Sequence, residues 1–345
     1  MLFPHQRPVV RARGIRKALQ GDRLNYRKLG RTGLDVSEVG YGAWGIGKSQ
    51  WMGAEDDESL RALNRAIDLG LTFIDTALGY GDGHSERLVG RTVRERDETV
   101  HVATKIPPKN LRWPAPSGLH PDETFPAEHV RACTERSLGN LGLEVIDVQQ
   151  FHVWQDEWLG KGDWQEAVED LKKEGKIRHF GVSINDHQPA NAVKLVESGL
   201  VDTVQVIYNV FDQGPEDELL PACREHGVGV VVRVPFDEGA LTGAITPQTT
   251  FDEGDFRNHY FRDDRKREVQ ERVRAIVSEL GVTEDELAEV ALRYILSHPA
   301  VSTVIPGMRS VRNVERNMRV GDGKGLPEDQ VRLLKNHRWV RNFYV

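Results

Sequence analysis

Residues 72–90 read TFIDTALGYGDGHSERLVG. A short apolar run, Phe73-Ile74, ends on the carboxylate of Asp75. Tyr80 follows among glycines, and Ser85-Glu86 opens a helical pattern for which Ser85 is the expected cap. A strand that hands over to a helix is half of a repeating unit, and the unit recurs. β-Branched apolar runs occupy 36–44, 73–77, 99–105, 145–153, 177–184, 201–208, 228–235 and 301–306. Helical periodicity lies between them, at 58–69, 128–141, 163–174, 190–197 and 216–226. Gly70, Gly142, Gly175, Gly199 and Gly227 supply C-terminal stops. Strands alternating with helices pair in parallel through right-handed crossovers. Eight such units predict an α/β fold, a closed (β/α)8 TIM barrel over residues 25–345.

Composition limits the partners. With 39% hydrophobic and 29% charged residues the chain can bury a core, and a net charge of −7 argues against nucleic acid as a partner. No run approaches the ~18 apolar residues of a membrane span. The two cysteines, Cys133 and Cys223, fall in helical patterns outside any CxxC and read as reduced thiols, which suits a cytoplasmic protein. Residues 1–24 form a basic N-terminal arm without the apolar core of a signal peptide. Nothing in the chain announces an oligomeric interface. Two segments break the rhythm, 107–125 and 236–265. Both follow strands on the loop side where a barrel keeps its chemistry, which makes them candidate lids or substrate walls.

One motif has to be set aside. Residues 40–45, GYGAWG, satisfy G-x-G-x-x-G after a strand, the fingerprint of a Rossmann dinucleotide site. That reading needs a helix on the third glycine, and the sequence that follows, IGKSQWMGAEDD, carries no immediate helical period. A glycine-rich loop after the first barrel strand fits better.

In a barrel the C-terminal strand ends meet in space. They select Asp75 and Tyr80 after strand two, Lys105 at the end of strand three, and His152 at the end of strand four. Alone, each residue has an ordinary reading as helix cap, solvent cation or one of 12 histidines. Together they describe a proton donor. A free tyrosine titrates near 10, too high for efficient acid catalysis, and a neighbouring ammonium lowers that value. A carboxylate beside the lysine holds it charged, and a histidine orients a carbonyl oxygen. The set suits hydride arriving at a carbonyl carbon while a proton reaches its oxygen, and the hydride has to come from a cofactor.

The chain resembles the aldo-keto reductase family from about Tyr26 to Asn317. The resemblance rests on YRKLGRTGLDVSEVGYGAWGIG, FIDTALGYGDGHSERLVG, SLGNLGLEVIDVQQFHVW, GKIRHFGVSI, VQVIYNVFD and TVIPGMRSVRNVERN in that order. It implies Tyr80 as general acid, Lys105 as its pKa-lowering partner, Asp75 as the lysine's counter-ion and His152 as the carbonyl-orienting residue. It also implies a nicotinamide cofactor bound without a Rossmann fold. Ser183 and Gln205 match carboxamide-binding positions, and Tyr208 matches the aromatic that stacks on the nicotinamide ring. Two departures stand out. Ile184 intervenes between Ser183 and Asn185, so Asn185 is the expected replacement for a carboxamide contact. Val234-Pro235-Phe236 replaces the family's Ser-Pro-Leu, leaving the loop of Gly239, Leu241 and Gly243 to meet the pyrophosphate through backbone N–H groups.

In the last motif Gly307 and Arg309 precede a helix bearing Asn313 and Asn317. Arg309 stands where a base meets the adenosine 2′-phosphate, which favours NADP(H) over NAD(H), while Arg312 and Arg316 read as solvated cations. Trp44, Trp51, Trp113, Trp154 and Phe236 are candidate walls for a small aldehyde, ketone or sugar. The alternative is a cofactor-binding sensor on the same barrel. The intact Asp75–Tyr80–Lys105–His152 set favours the enzyme.

Overall fold

Tyr26–Lys28 (β1) and Asp35–Ser37 (β2) pair as an antiparallel hairpin in the computed structural model, which describes residues 24–345. The basic arm expected over 1–24 lies, Leu24 apart, outside the described residues. Eight parallel strands then follow in chain order: Tyr41–Gly42 (β3), Phe73–Asp75 (β4), His101–Ile106 (β5), Ile146–Phe151 (β6), Ile177–Ser183 (β7), Thr203–Ile207 (β8), Gly229–Arg233 (β9) and Val301–Val304 (β10). Each neighbours the next. Parallel bridges Val39↔Val304 and Gly42↔Gly307 join the first to the last, closing the barrel.

The run expected as one strand over 36–44 therefore does two jobs. Residues 35–37 serve the hairpin, and only Tyr41–Gly42 enters the barrel. Close approach dictates the glycine. A Cβ on Gly42 would lie 2.5 Å from the Ile305 carbonyl oxygen, so no larger residue could close the seam there.

The helices are Asp56–Asp68 (α1), His84–Arg94 (α2), Ala127–Leu141 (α3), Trp164–Lys173 (α4), Val193–Ser198 (α5), Leu219–Glu225 (α6), Arg257–Tyr260 (α7), Arg265–Leu280 (α8), Leu287–Leu296 (α9), Val311–Met318 (α10) and Glu328–Lys335 (α11). α1 shows why they pack. Ser59, Ala62, Leu63, Ala66 and Ile67 recur at helical spacing and are the residues it buries, while Asp56, Asp57 and Glu58 occupy its first turn. The GYGAWG stretch leads into a short 3-10 turn, Trp44–Ile46, and the first α-helix waits until Asp56, so it is not a Rossmann turn.

Strand alternation sorts the interior into layers. Phe73, Ala103, Val148 and Val231 fill the barrel near its floor, where Leu29 and Val36 of the hairpin segment pack against them. Two residues further along the same strands stand Asp75, Lys105, Gln150 and Arg233. One inward layer is apolar and the next is polar, and the polar layer is where the site forms.

Candidate active site

The polar layer is organised around Lys105. Its Nζ lies 2.5 Å from Asp75 Oδ2, 2.9 Å from the Thr76 carbonyl oxygen and 3.3 Å from the Tyr80 hydroxyl. The other Asp75 oxygen accepts hydrogen bonds from Gln205 Nε2 at 2.7 Å and Gln150 Nε2 at 3.2 Å. Burial alone would lower the Lys105 pKa, but Asp75 and Tyr80 outweigh it and hold the ammonium charged above its ordinary range.

Tyr80 differs from expectation. Burial pushes its hydroxyl above the ordinary value, and the Lys105 ammonium draws it back only in part, because Asp75 adds an opposing charge. Tyr80 is thus held as the protonated donor. His152 sits with its ring centroid 5.7 Å from that of Tyr80. Burial, then the cations Lys105 and Arg233, keep it well below the usual imidazole value, so the ring is neutral at pH 7. Its Nδ1 is buried with no hydrogen-bond partner among the described residues.

The loop carrying Tyr80 is fixed from two sides. Gly81 has φ +64, and a Cβ there would meet the Gly47 carbonyl oxygen at 1.9 Å, so the loop after β4 lies directly on the loop after β3. Ser85 is not the helix cap. Gly83 takes that position, and Ser85 is buried, donating to the Ala43 carbonyl oxygen at 2.8 Å and accepting from Thr76 Oγ1 at 2.8 Å. A left-handed Gly83, φ +81, caps the helix two residues earlier than expected and turns Ser85 inward.

A cavity of about 1190 Å³ runs from this centre across the loop face. Trp44, Trp51 and Trp113 line it, with Phe236, Phe256 and Tyr344. Trp44 contacts Tyr80, Trp51 and Phe256 through its ring, and Trp113 packs edge-on to His152. Trp154 does not line the cavity. β6 ends at Phe151, the alternation lapses, and Trp154 is fully buried against Trp158 and Trp164 with Nε1 donating to Asp156.

Tyr208 also lies elsewhere. Alternation from the inward Gln205 sends it outward, where its hydroxyl donates to Glu216 at 2.8 Å and its ring packs near Tyr294. Ser183, Asn185 and Gln205 all line the cavity. However, Asn185 holds the backbone of Ala115 through both ends of its amide, at 3.2 and 3.3 Å. It anchors the 107–125 segment, and with Gln188 Oε1 accepting at 3.1 Å both of its amide N–H groups are taken.

At the other end of the cavity stand Gly239, Gly243, Gly307, Arg309, Asn313 and Asn317, together with Arg312 and Arg316. Leu241 is buried behind them. Ser310 caps α10, accepting from the Asn313 backbone N–H at 3.3 Å, and so fixes the helix that carries Asn313 and Asn317. Arg309 donates to the Met52 carbonyl oxygen at 2.6 Å, and Arg316 to that of Asp285 at 2.7 Å. Arg312 makes no hydrogen bond or ion pair among the described residues.

Sequence reading missed Gln150, Arg233, Asp186, Glu238 and Tyr344. For Gln150 and Arg233 the parity of Val148 and Val231 was an available signal. The C-terminal Tyr344 gave none, since only folding brings its hydroxyl 2.7 Å from Glu238 Oε1.

A long cavity that joins a half-buried proton donor to a basic, amide-bearing end, with the buried His152 Nδ1 and Arg233 Nε unpartnered among the described residues, fits a nicotinamide dinucleotide. The barrel and this site define a (β/α)8 oxidoreductase. The model of the aldo/keto reductase family matches residues 38–338, and the chain belongs to that family. It is 30% identical over 317 residues to the uncharacterized oxidoreductase YqkF of Bacillus subtilis, covering 91% of this chain and 96% of that one. An NADH-specific methylglyoxal reductase of Escherichia coli is 32% identical over 231 residues, 63% of this chain and 69% of its own. The solved structure of the glycerol dehydrogenase AKR11B4 from Gluconobacter oxydans aligns with a TM-score of 0.71 at 26% identity, over 90% of this chain and 94% of that one. Aldo-keto reductases use nicotinamide cofactors. Among the described residues no helix is long and apolar enough to cross a membrane.

Proposed function

We propose that this protein interconverts the carbonyl of a small aldehyde, ketone or sugar and the corresponding alcohol, with Tyr80 as the general acid and base. The observation that carries this reading is Lys105 Nζ placed between the Asp75 carboxylate and the Tyr80 hydroxyl, two groups that line the cavity. When bound, the dinucleotide supplies the hydride.

The chain's own residues do the rest. His152, neutral, orients the carbonyl oxygen by hydrogen bond toward Tyr80. Tyr80 gives up its proton, and the Lys105 ammonium stabilises the phenolate left behind. Asp75, held by Gln150 and Gln205, keeps the lysine charged and aimed. Trp44, Trp51 and Trp113 exclude water and favour an apolar body beside the carbonyl. Ser183 and the amide of Gln205 would hold the carboxamide, and Gly239 and Gly243 the pyrophosphate. Arg309, Asn313 and Asn317 would hold the adenosine end.

We put NADP(H) ahead of NAD(H) because three arginines, Arg309, Arg312 and Arg316, gather at that end and Arg312 has no hydrogen-bond or ion-pair partner among the described residues. The test is cofactor absorbance followed over a panel of aldehydes, ketones and sugars in both directions, with Tyr80→Phe in parallel. Turnover by the parent and its loss in the variant are expected. Equal turnover by both would remove Tyr80 from its role. A preference for NADH that Arg309→Ala and Arg312→Ala leave unchanged would overturn the NADP assignment.

A further inference from the structure

β9 ends on Arg233, whose side chain lines the cavity and does not turn away from it. Its Nη2 donates to the Ile184 carbonyl oxygen at 3.0 Å and to Asp186 Oδ1 at 2.7 Å, both just past the end of β7. Between β9 and β7 runs β8, where Gln205 sits in register with Ser183. The guanidinium therefore spans three consecutive strand ends, over the pair that the cofactor reading assigns to the carboxamide. Its Nε is buried and unpartnered, and Nη1 makes no hydrogen bond among the described residues. Arg233, Tyr80 and His152 line the same cavity, and the cation bears electrostatically on both of the others.

No aromatic ring of β8 competes for this floor, since Tyr208 points into the helix layer. The planar group present there is a guanidinium, which stacks on flat conjugated rings. The difference from an aromatic platform is one of charge. An aromatic face presents negative density and attracts a cationic ring, whereas a guanidinium repels it. The nicotinamide ring is positive when oxidised and uncharged when reduced.

The geometry points to Arg233 as the platform for the nicotinamide ring, and to its cation as the reason the site holds the reduced cofactor more tightly than the oxidised one. The inference rests on the cofactor reading above and adds to it a preference between the two oxidation states of the cofactor. Asp186 offsets part of the field, so the two residues pull the preference in opposite directions.

Isothermal titration of NADPH and of NADP+ separately, with the NADH and NAD+ pair alongside, reads this without turnover. The parent is expected to bind the reduced form more tightly. Arg233→Met should narrow the reduced-over-oxidised affinity ratio about tenfold, the scale of a unit charge a few ångström away inside a protein, while Arg233→Lys keeps most of the ratio. Asp186→Asn, which leaves the guanidinium in place, should widen it. Should Arg233→Met fail to fold, the opposite shift in Asp186→Asn carries the test. A ratio unmoved by the variants, with both affinities changed alike, would overturn the role of Arg233. Absence of any dinucleotide binding by the folded parent would overturn the cofactor reading itself.

Discussion

Two ion pairs sit at opposite ends of the barrel, and they are finished differently. At the floor, Arg27 donates to Glu38 at 2.7 Å and to the carbonyl oxygens of Leu296 and Val301 at 2.7 and 2.8 Å. Glu38 in turn accepts from Asn25 and from the Gly323 backbone. At the mouth, Lys105 and Asp75 are buried more deeply than Arg27, yet their network runs on to the Tyr80 hydroxyl, and the neighbouring His152 Nδ1 and Arg233 Nε have no hydrogen-bond partner among the described residues. The floor pair is closed on the protein, whereas the mouth pair is open toward the cavity. Buried polar groups are normally satisfied, so the open ends mark where a ligand belongs.

The comparison breaks most sharply through activity. Tyr80→Phe is expected to lower kcat/KM by about 10²–10⁴, with Lys105→Met comparable, while the melting temperature of Tyr80→Phe stays near the parent's. Steady-state kinetics paired with thermal denaturation checks both halves. At the floor the pattern inverts. Glu38→Ala leaves Arg27 facing only carbonyls and should cost about 3 kcal/mol of stability in urea unfolding. Its kcat/KM in native buffer should stay within about twofold of the parent. A loss of activity from the floor variant larger than its loss of folded protein would dissolve the distinction between the two pairs.

A third prediction concerns Glu238, which lines the cavity and accepts from Tyr344 at 2.7 Å. Burial, reinforced by Asp237, pushes its carboxyl up to about 7, against the opposing hydrogen bond from Tyr344 and the charge of Arg233. The folded state therefore binds more protons than the unfolded state between about 4.5 and 7, and stability falls as pH rises through that window. Glu238→Gln removes the effect. The variant should gain about 3 kcal/mol over the parent at pH 8 and little at pH 4.5, measured by denaturant unfolding at both.

The smallest effect concerns pH and rate. Tyr80 is held above its ordinary value of 10.0, so the carbonyl-reducing rate, which needs the protonated phenol, should stay level through neutral pH and decline only above that point. A reductive pH profile that falls near 7 would assign the proton to another group.

Much of this was legible in the chain. The eight apolar runs, the glycine stops and the strand-end residues Asp75, Lys105 and His152 follow from periodicity and from the rule that a barrel gathers its strand ends. Alternation also carried an unused signal that Gln150 and Arg233 face inward and Tyr208 outward, because side chains on a strand change face at every residue. The resemblance of VQVIYNVFD to a cofactor motif pointed the other way for Tyr208. Trp154 shows the limit of parity, since alternation holds only while the strand lasts and β6 stops at Phe151.

The sequence by itself determined the barrel, its order of strands and the identity of the charged set at its mouth, because these depend on local period and on residue type. Tertiary structure alone decided which of those groups are already satisfied. The Asn185 N–H groups are taken by Ala115 and Gln188, Ser85 donates to Ala43, and Arg309 donates to Met52, whereas His152, Arg233 and Arg312 keep polar atoms without a partner among the described residues. Whether a donor is free depends on partners distant in sequence, and only the folded chain brings them within 3 Å or so.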